Sequence, residues 1–540
     1  MARTDRHLHA VPHPVPRSLA GSTVIVMSAT LASTLLGFAR EVVNARYFGT
    51  QWEMDTFLAA ATVPTIIFGL FNGALVNALV PTFTEYVAHG RDEDAWRLAN
   101  TILNGLFIVL VVGGALGWLL APVYVPWIAH GFPAPQMGAT VRMTRWMMPS
   151  IVGTSLAGVV AAVLNAHHRF GAAALQGVAI NVVTIGTVVV LFDRLGIYAL
   201  VLGTTLGLCA QLVVQLPAFF ALGAYRPVLD LHHPGLRRMM DVLGPIVVGS
   251  AAGQIALFFD RFFASTLQPG YIAGINYATK LVGFPQQVFA AAIATVIFPL
   301  LASHFARANH AGVRRSIVTG LRLVMFIAIP ATLGLVVLAT PIVRTLFERG
   351  NFVETSTVLT AHLIPYAAVG LVASAANVVL IRCCFACRAA RSTVAISVLA
   401  VVVNVVLSMI WLPHYGAKGL LGANAVSQGV EALLLGALVW RLLGGLELRA
   451  LWRSARGSLL CSGAMVIALR WIAAFAVDPV RPFWAEALYL AGQLAIGGLA
   501  FFAVARLIGA EELQLVVDLI VRKFRSGVPS AAEGREAPIA

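Results

Sequence analysis

The chain has 540 residues, of which 59% are hydrophobic and only 11% are charged, and its mean hydropathy is +0.86. Soluble domains carry about 45–50% apolar and about 25% charged residues, so this chain has too little polar surface to coat a water-soluble particle. The composition therefore disfavours a soluble enzyme, a disordered chain and a secreted disulfide scaffold. Long unbroken apolar runs also disfavour a transmembrane β-barrel, and they predict an all-α polytopic membrane protein.

The charge balance agrees with this class. The 37 Lys and Arg residues outnumber the 23 Asp and Glu residues, giving a net charge of +14. The basic residues lie mostly in short loops between apolar runs, which is the positive-inside pattern of membrane proteins, so we expect no nucleic-acid partner. The five cysteines lie within or beside apolar segments, and their odd number implies no disulfide framework. Residues 1–17 are polar and show no signal-peptide cleavage site.

Taken in chain order, about fourteen apolar runs are each long enough to span a membrane. They are centred within residues 20–38, 56–82, 100–124, 146–165, 173–192, 196–222, 242–265, 281–301, 321–343, 358–381, 393–412, 420–442, 457–476 and 485–507. Beyond them, the run EELQLVVDLIVRKFR (511–525) places apolar residues at helical spacing and predicts an amphipathic helix on the membrane surface, followed by a disordered end. If the N-terminus is cytoplasmic, about 25 of the 37 basic residues fall on the inner side, so both termini and the 223–240 loop are predicted to be cytoplasmic.

An internal repeat divides the spans. Pro122 and Pro341 lie at matching places in similar segments 219 residues apart, Pro149 answers Pro365 at 216, and INVV (180–183) answers VNVV (403–406) at 223. These matches pair each span with the sixth one after it, so the halves keep one orientation and are expected to be related by a pseudo-twofold axis along the membrane normal. The predicted parts are a cytoplasmic tail (1–17), an N-lobe of helices 1–6 (18–222), a cytoplasmic linker (223–234), a C-lobe of helices 7–12 (235–443), two extra helices (444–510), and the amphipathic segment with its tail (511–540).

Charges at the ends of apolar runs, or inside them, are the candidate functional groups. Burying an ion in the bilayer costs roughly 2.5–3.5 kcal/mol, so such groups usually face a cavity or a partner, although any one of them could instead snorkel to the headgroups. A cluster of cations in a central cavity would suit an anionic substrate. The candidates for substrate binding are Arg40, Glu41, Arg46, Asp55, Asp260, Arg261 and Lys280. Prolines that could let spans two and eight bend as a gate are Pro64, Pro81, Pro285 and Pro299.

No catalytic or metal-binding motif is present among the patterns for nucleotide, dinucleotide or zinc chemistry, so no enzyme, cofactor or metal site is predicted. Cys383, Cys384 and Cys387 could ligate a metal, but an apolar cluster at a helix end in the reducing cytosol is the favoured interpretation. A coupling ion or the membrane potential is left open as the energy source.

The run LLGFAREVVNARYFGTQWEMDTF, which continues to position 86, and the run DRFFASTLQPGYIAGINYATKLVGFP, which continues to position 302, resemble the MurJ/MviN family. Its members are lipid II flippases of the multidrug/oligosaccharidyl-lipid/polysaccharide exporter superfamily. The resemblance implies alternating-access transport of the undecaprenyl-pyrophosphate-linked peptidoglycan precursor from the inner to the outer leaflet of the bacterial cytoplasmic membrane. It also implies a cationic cavity between the lobes and a groove for the lipid tail beside the extra helices. Arg40 matches the family's essential first-helix arginine, and Glu41, Arg46 and Asp55 also match.

Five positions depart from the family pattern, and each removes or changes a charge that the family commonly has. They are Thr34, Phe68 and Gly69 in place of arginines, Asn72 in place of an acidic residue, and Lys280 in place of an arginine. The alternatives therefore stay open. They are a flippase for another lipid-linked oligosaccharide (an O-antigen, teichoic acid or exopolysaccharide intermediate), a cation-coupled drug exporter, and a scaffold of the envelope-synthesis machinery. Expected partners are the polyprenyl-pyrophosphate glycolipid, membrane lipids and cell-wall synthesis proteins.

Overall fold

The computed structural model describes residues 19–223, 225–307, 309–474 and 483–515, and every regular element in this part of the chain is an α-helix. The helices are α1 (Leu19–Phe48), α2 (Trp52–Ala60), α3 (Thr62–Ala88), α4 (Asp92–Ile128), α5 (Ala134–Met147), α6 (Pro149–Ala166), α7 (Phe170–Ala174), α8 (Gln176–Leu195), α9 (Ile197–Val213), α10 (Leu216–Phe220), α11 (Pro234–Ala264), α12 (Tyr271–Ala306), α13 (His310–Val337), α14 (Ala339–Phe347), α15 (Glu354–Val369), α16 (Leu371–Ala386), α17 (Ala390–Tyr415), α18 (Ala417–Leu442), α19 (Leu448–Ala474) and α20 (Phe483–Ile508). The predicted tail 1–17 and the 516–540 part of the predicted amphipathic segment lie outside the described residues, whereas 511–515 are helical.

The prediction of an all-α polytopic membrane protein is confirmed. Ten segments among the described residues are long and apolar enough to cross a membrane, and α15 with α16, bent by 42°, makes an eleventh. Outside that set, α3, α11 and α12 have 27, 31 and 36 residues, which is also enough to span a bilayer. These lengths are consistent with the fourteen spans predicted from the sequence.

The helices form two compact units. Unit 1 comprises Met1–Val43, Val63–Ala121 and Arg142–Ser250, and unit 2 comprises Asn44–Thr62, Pro122–Val141 and Ala251–Ala540. Two short segments that the sequence analysis placed in the N-lobe therefore pack within unit 2. The division into two six-helix lobes stays a prediction.

Each unit has an apolar core built by its own helices. In unit 1, Phe83, Leu98, Val163 and Phe219 belong to one buried cluster that joins α3, α4, α6 and α10. Small residues let α6 approach α9 closely, since a Cβ added at Gly153 would lie 2.8 Å from the Cα of Cys209.

In unit 2, a buried cluster joins α13 to the two extra helices α19 and α20. Its members include Phe326, Met465, Leu469 and Phe501. The extra helices are therefore held by side-chain packing against α13, and not only by their connection along the chain.

The same backbone geometry occurs once in each unit. His168, after α6, and Arg388, after α16, have φ of 57° and 58° and lie 220 residues apart. Gly196 separates α8 from α9 with φ 52° and ψ −130°, and Gly416, again 220 residues later, separates α17 from α18 with φ 57° and ψ −136°. The internal repeat is therefore visible in the turns that end corresponding helices.

These turns also correct one detail of the sequence match. An offset of 220 pairs Asn404 with Thr184, whereas the INVV and VNVV match paired it with Asn181 at an offset of 223. The three-residue error is close to one helical turn of 3.6 residues, which keeps a residue near the same helix face. Apolar sequence patterns therefore tolerate a slip by one turn, whereas a positive φ does not.

Candidate functional site

Arg40 and Glu41 lie in the third quarter of α1, within unit 1. Arg40 Nη2 lies 3.2 Å from Glu41 Oε1, and the two side chains are 24% and 10% exposed. A guanidinium carries five N–H donors, and this contact uses one of its nitrogens. The rest of the planar fork can bind the oxygens of a second anion, and paired phosphoryl oxygens match its geometry.

Arg46, six residues further along α1, belongs to unit 2 and is exposed. Its carbonyl oxygen accepts a hydrogen bond from Asn351 N at 2.8 Å, and the Asn351 side chain donates to the carbonyl oxygen of Tyr47 at 2.6 Å. Nearby, Thr50 Oγ1 donates to Ser356 Oγ at 2.7 Å. The end of α1 is therefore fixed, through its backbone, to the segment between α14 and α15.

Asp55 lies in α2 and is 2% exposed. Its two carboxylate oxygens accept hydrogen bonds from Gly270 N at 2.5 Å and Ala273 N at 2.7 Å, at the N-terminus of α12. The first amides of a helix have no intrahelical partner, and the helix dipole favours a negative charge there. Gly270 has φ 91°, and a Cβ at this position would collide with the carbonyl oxygen of Thr50. In this structure Asp55 therefore caps α12.

Asp260 and Arg261 lie near the end of α11, in unit 2. Asn404 Nδ2, from α17, donates to Asp260 Oδ1 at 3.2 Å. Arg261 interacts electrostatically with both Asp260 and Asp55. The structure thus brings three of the predicted residues together, two carboxylates around one guanidinium, while Lys280 is exposed on α12. Substrate binding by these residues stays a prediction.

The four candidate prolines occupy different helical contexts. Pro64 is buried in the first turn of α3, where a proline removes no helical hydrogen bond. Pro81 lies inside α3, where a proline breaks the backbone hydrogen-bond ladder. Pro285 and Pro299 fall within α12, and the side chain of Pro299 is outside the described set. Pro81 and Pro285 are therefore the better candidates for bending.

The sequence analysis missed a buried acidic residue. Glu431 lies inside α18 and is 8% exposed, with Asn377 and Ser397 as hydrogen-bond partners from α16 and α17. A single glutamate in the middle of the run NAVSQGVEALLLGALV is the signal that could have found it, because carboxylates inside spans are rare.

The cysteines of α16 are close together. Cys383 and Cys384 are buried, and the Sγ of Cys383 lies 4.0 Å from the Sγ of Cys387. Across the part of the chain that the structure describes, no group of three or more His, Cys, Asp or Glu side chains is arranged to hold a metal ion.

Comparison with known proteins identifies the family. The model of the lipid II flippase MurJ family matches residues 44–504. The chain belongs to the MurJ family. A relative from Rhizobium meliloti, named a probable lipid II flippase MurJ, is 32% identical and covers 96% of this chain and 99% of its own length. A second probable lipid II flippase MurJ, from Vibrio cholerae, is 30% identical and covers 92% and 97%. The family resemblance inferred from the first and seventh spans is confirmed.

Solved structures agree on the fold. A lipid II flippase MurJ in an inward closed conformation superposes with a TM-score of 0.76, at 20% identity, over 90% of this chain and 98% of its own. An inward-facing multidrug resistance MATE family transporter of the MOP superfamily gives a TM-score of 0.63 at 14% identity, over 78% and 98%. The fold is therefore one that a flippase and a drug exporter share, and it does not by itself separate their functions.

Proposed function

We propose that this protein is a lipid II flippase. It moves the undecaprenyl-pyrophosphate-linked peptidoglycan precursor from the inner to the outer leaflet of the bacterial cytoplasmic membrane by alternating access, without a covalent step. The observation that carries the proposal is the family match over residues 44–504, together with relatives named as lipid II flippases that align over nearly the whole chain.

The chemistry of Arg40 supports the same substrate. A pyrophosphate presents several charged oxygens in fixed geometry, and a guanidinium fork binds such oxygens in pairs. Glu41, 7% exposed, orients the guanidinium through one contact and leaves other donors for the ligand. Charge-assisted hydrogen bonds of this kind contribute roughly 1.5–3 kcal/mol.

Complementation tests the proposal. The gene should restore growth and outer-leaflet lipid II in a bacterium whose own lipid II flippase is depleted. The Arg40→Ala variant, expressed at the same level in the membrane, is the matched control and should not restore it. Normal membrane expression without rescue by the unaltered protein would contradict the assignment to lipid II.

A flippase for another polyprenyl-pyrophosphate glycolipid is the second candidate, because the chain lacks several family cations. Thr34 stands where an arginine is common, and its hydroxyl donates to Thr30 O within α1 at 2.9 Å, so it supplies no charge. Rescue of a strain depleted of an O-antigen, teichoic acid or exopolysaccharide flippase, without rescue of lipid II export, would favour this candidate.

The orientation is proposed from the basic loops. Both termini and the 223–234 linker lie on the cytoplasmic side, in agreement with the positive-inside rule. Leu231 is 65% exposed, so a cysteine placed there should be accessible. In intact cells, Leu231→Cys should resist a membrane-impermeant thiol reagent and react after permeabilisation, with the unaltered protein as background. Labelling in intact cells would reverse the orientation.

A further inference from the structure

Glu431 is a buried carboxylate without a cationic side chain beside it. It is 8% exposed, and no ion pair among the described residues includes it. Its Oε1 accepts a hydrogen bond from Ser397 Oγ at 2.6 Å, and its Oε2 lies 3.2 Å from Asn377 Nδ2. A charge buried in a protein interior is usually paired or coordinates a metal ion. The partner of Glu431 therefore needs to be identified.

The surroundings of Glu431 contain more acceptors than donors. Asn377 Nδ2 lies 3.0 Å from Gln428 Oε1 and 3.1 Å from the carbonyl oxygen of Gln428, in addition to its contact with Glu431. One amide group has two N–H hydrogens, so it cannot satisfy three oxygens. Asn377 is 3% exposed, and its Oδ1 has no hydrogen-bond partner. Oxygens from α16, α17 and α18 therefore converge with too few hydrogens between them.

The corresponding positions of the first repeat lack this arrangement. At the offset of 220 defined by His168 and Arg388 and by Gly196 and Gly416, three of the four equivalent residues are apolar or lack a side chain, and the fourth is neutral. Asn377, Ser397, Gln428 and Glu431 correspond to Ala157, Gly177, Leu208 and Gln211. The repeated fold is thus formed without the polar cluster, so the cluster is not a requirement of this helix packing.

We propose that Glu431, Asn377, Gln428 and Ser397 form a binding site for a monovalent metal cation of the Na⁺ class. Such a cation takes oxygen ligands, and one carboxylate neutralises its single charge inside the membrane. A divalent ion would leave an uncompensated charge, and hard divalent ions generally take more than one carboxylate. The cation also provides a partner for the Asn377 amide oxygen, in either orientation of that amide. The site does not depend on the identity of the lipid substrate.

Binding to the purified full-length protein in lipid nanodiscs tests the site. Radioactive ²²Na⁺ should bind and be displaced by unlabelled NaCl but not by choline chloride at equal ionic strength. NaCl should also raise the melting temperature relative to choline chloride, since a ligand that binds only the folded state stabilises it. Glu431→Gln, which installs the residue type of Gln211, should abolish both effects.

The matched control is Glu512→Gln, which makes the same change at a buried carboxylate that already pairs with Arg322. This variant should keep the wild-type response to Na⁺. A Na⁺ response that survives in Glu431→Gln would overturn the proposal. So would an infrared band of a protonated carboxylic acid that is present in the wild type with Na⁺ and disappears in Glu431→Gln, because the carboxyl would then be neutralised by a proton.

Two further variants keep the test decisive if Glu431→Gln does not fold. Ser397→Ala retains the carboxylate but removes the hydroxyl that orients it, and should weaken Na⁺ binding by about tenfold to a hundredfold. Asn377→Asp supplies a second carboxylate and should admit Ca²⁺, which the wild type does not bind. Unchanged Na⁺ affinity in Ser397→Ala, or no gain of Ca²⁺ binding in a folded Asn377→Asp, would contradict the site.

Discussion

The hairpin of α8 and α9 in unit 1 and the hairpin of α17 and α18 in unit 2 share a backbone but differ in their polar interiors. Gly196 and Gly416 turn the chain with nearly the same φ and ψ. In unit 1, the Thr184 hydroxyl donates to the carbonyl oxygen of Gly203, so it is satisfied by backbone. In unit 2, the equivalent Asn404 donates to the Asp260 carboxylate. The duplicated helices therefore keep one geometry while the charges diverge.

This difference indicates how a repeated fold can serve two purposes. In unit 1 the charged pair of the first span is Arg40 with Glu41, and its free guanidinium donors suit an anion. In unit 2 the buried charges of the corresponding region are mainly carboxylates, including Asp260 and Glu431. An anion-binding function for the first repeat and a cation-binding function for the second follow from these opposite signs. The predictions below test this asymmetry, beginning with the largest expected effect.

Arg40 should be the most sensitive position. Arg40→Ala removes the guanidinium from unit 1 and should reduce lipid II exposure on the outer face by about ten- to a hundredfold, since losing a charge-assisted contact costs roughly 1.5–3 kcal/mol. Arg40→Lys should restore transport only in part, because a point charge replaces a planar fork. Lys280→Ala should be milder than Arg40→Ala. Transport is measured relative to protein level, and wild-type transport by Arg40→Ala would remove the anion site from unit 1.

Asp55 should matter for stability through α12. Asp55→Ala leaves the amides of Gly270 and Ala273 without their acceptor and should destabilise the folded protein by about 2–3 kcal/mol. The matched control is Asp230→Asn, because Asp230 pairs with an Arg97 side chain that is 56% exposed, and such surface pairs contribute about 0–1 kcal/mol. Melting in detergent measures both. Equal shifts for the two variants would show that the cap contributes no more than a surface ion pair.

Gly196 and Gly416 should respond alike, because they occupy the same backbone conformation. Gly196→Ala and Gly416→Ala should each lower stability by about 1–3 kcal/mol, the cost of holding a Cβ-bearing residue in a strained region. Gly186 lies inside α8 with open space around its Cα, so Gly186→Ala should be neutral or slightly stabilising. Thermal unfolding compares the three variants. Strongly unequal losses at Gly196 and Gly416 would argue that the two hairpins are not equivalent.

The extra helices should show the smallest effect. Burial raises the pKa of Glu512, but hydrogen bonds from Arg322 outweigh it and hold that pKa below its ordinary value of 4.5. A depressed carboxyl pKa stabilises the folded state above the ordinary pKa, and this stabilisation is lost as pH falls through the folded-state pKa.

The melting temperature of Glu512→Gln should therefore fall below that of the wild type at pH 7 and approach it on acidification. Because Arg322 retains its contact with Glu511 at 2.8 Å, we expect a loss of less than about 1 kcal/mol. A difference between variant and wild type that does not shrink at acid pH would mean that the pKa of Glu512 is not depressed on folding.

Much of the fold could be predicted from the sequence because apolar length is a direct requirement of the bilayer. The spans and the role suggested for Arg40 follow from local runs and from a specific family signature. The contact of Asp55 with α12 could not be predicted, because its partners are backbone amides 215 and 218 residues away. The cluster around Glu431 was missed for a related reason. Its polar residues come from three helices, and each is isolated in its own apolar run.

The long separation between Asp55 and α12 also has a consequence for biosynthesis. The first amide that Asp55 binds belongs to a residue 215 positions later in the chain. At about 5–20 residues per second, a ribosome needs about 10–40 seconds to add that length. During this interval the Asp55 carboxylate has entered the insertion pathway without its acceptor site. The segment 44–62 of unit 2 is therefore completed only after the seventh predicted span has been inserted, and nascent chains arrested before Gly270 should expose Asp55 to solvent.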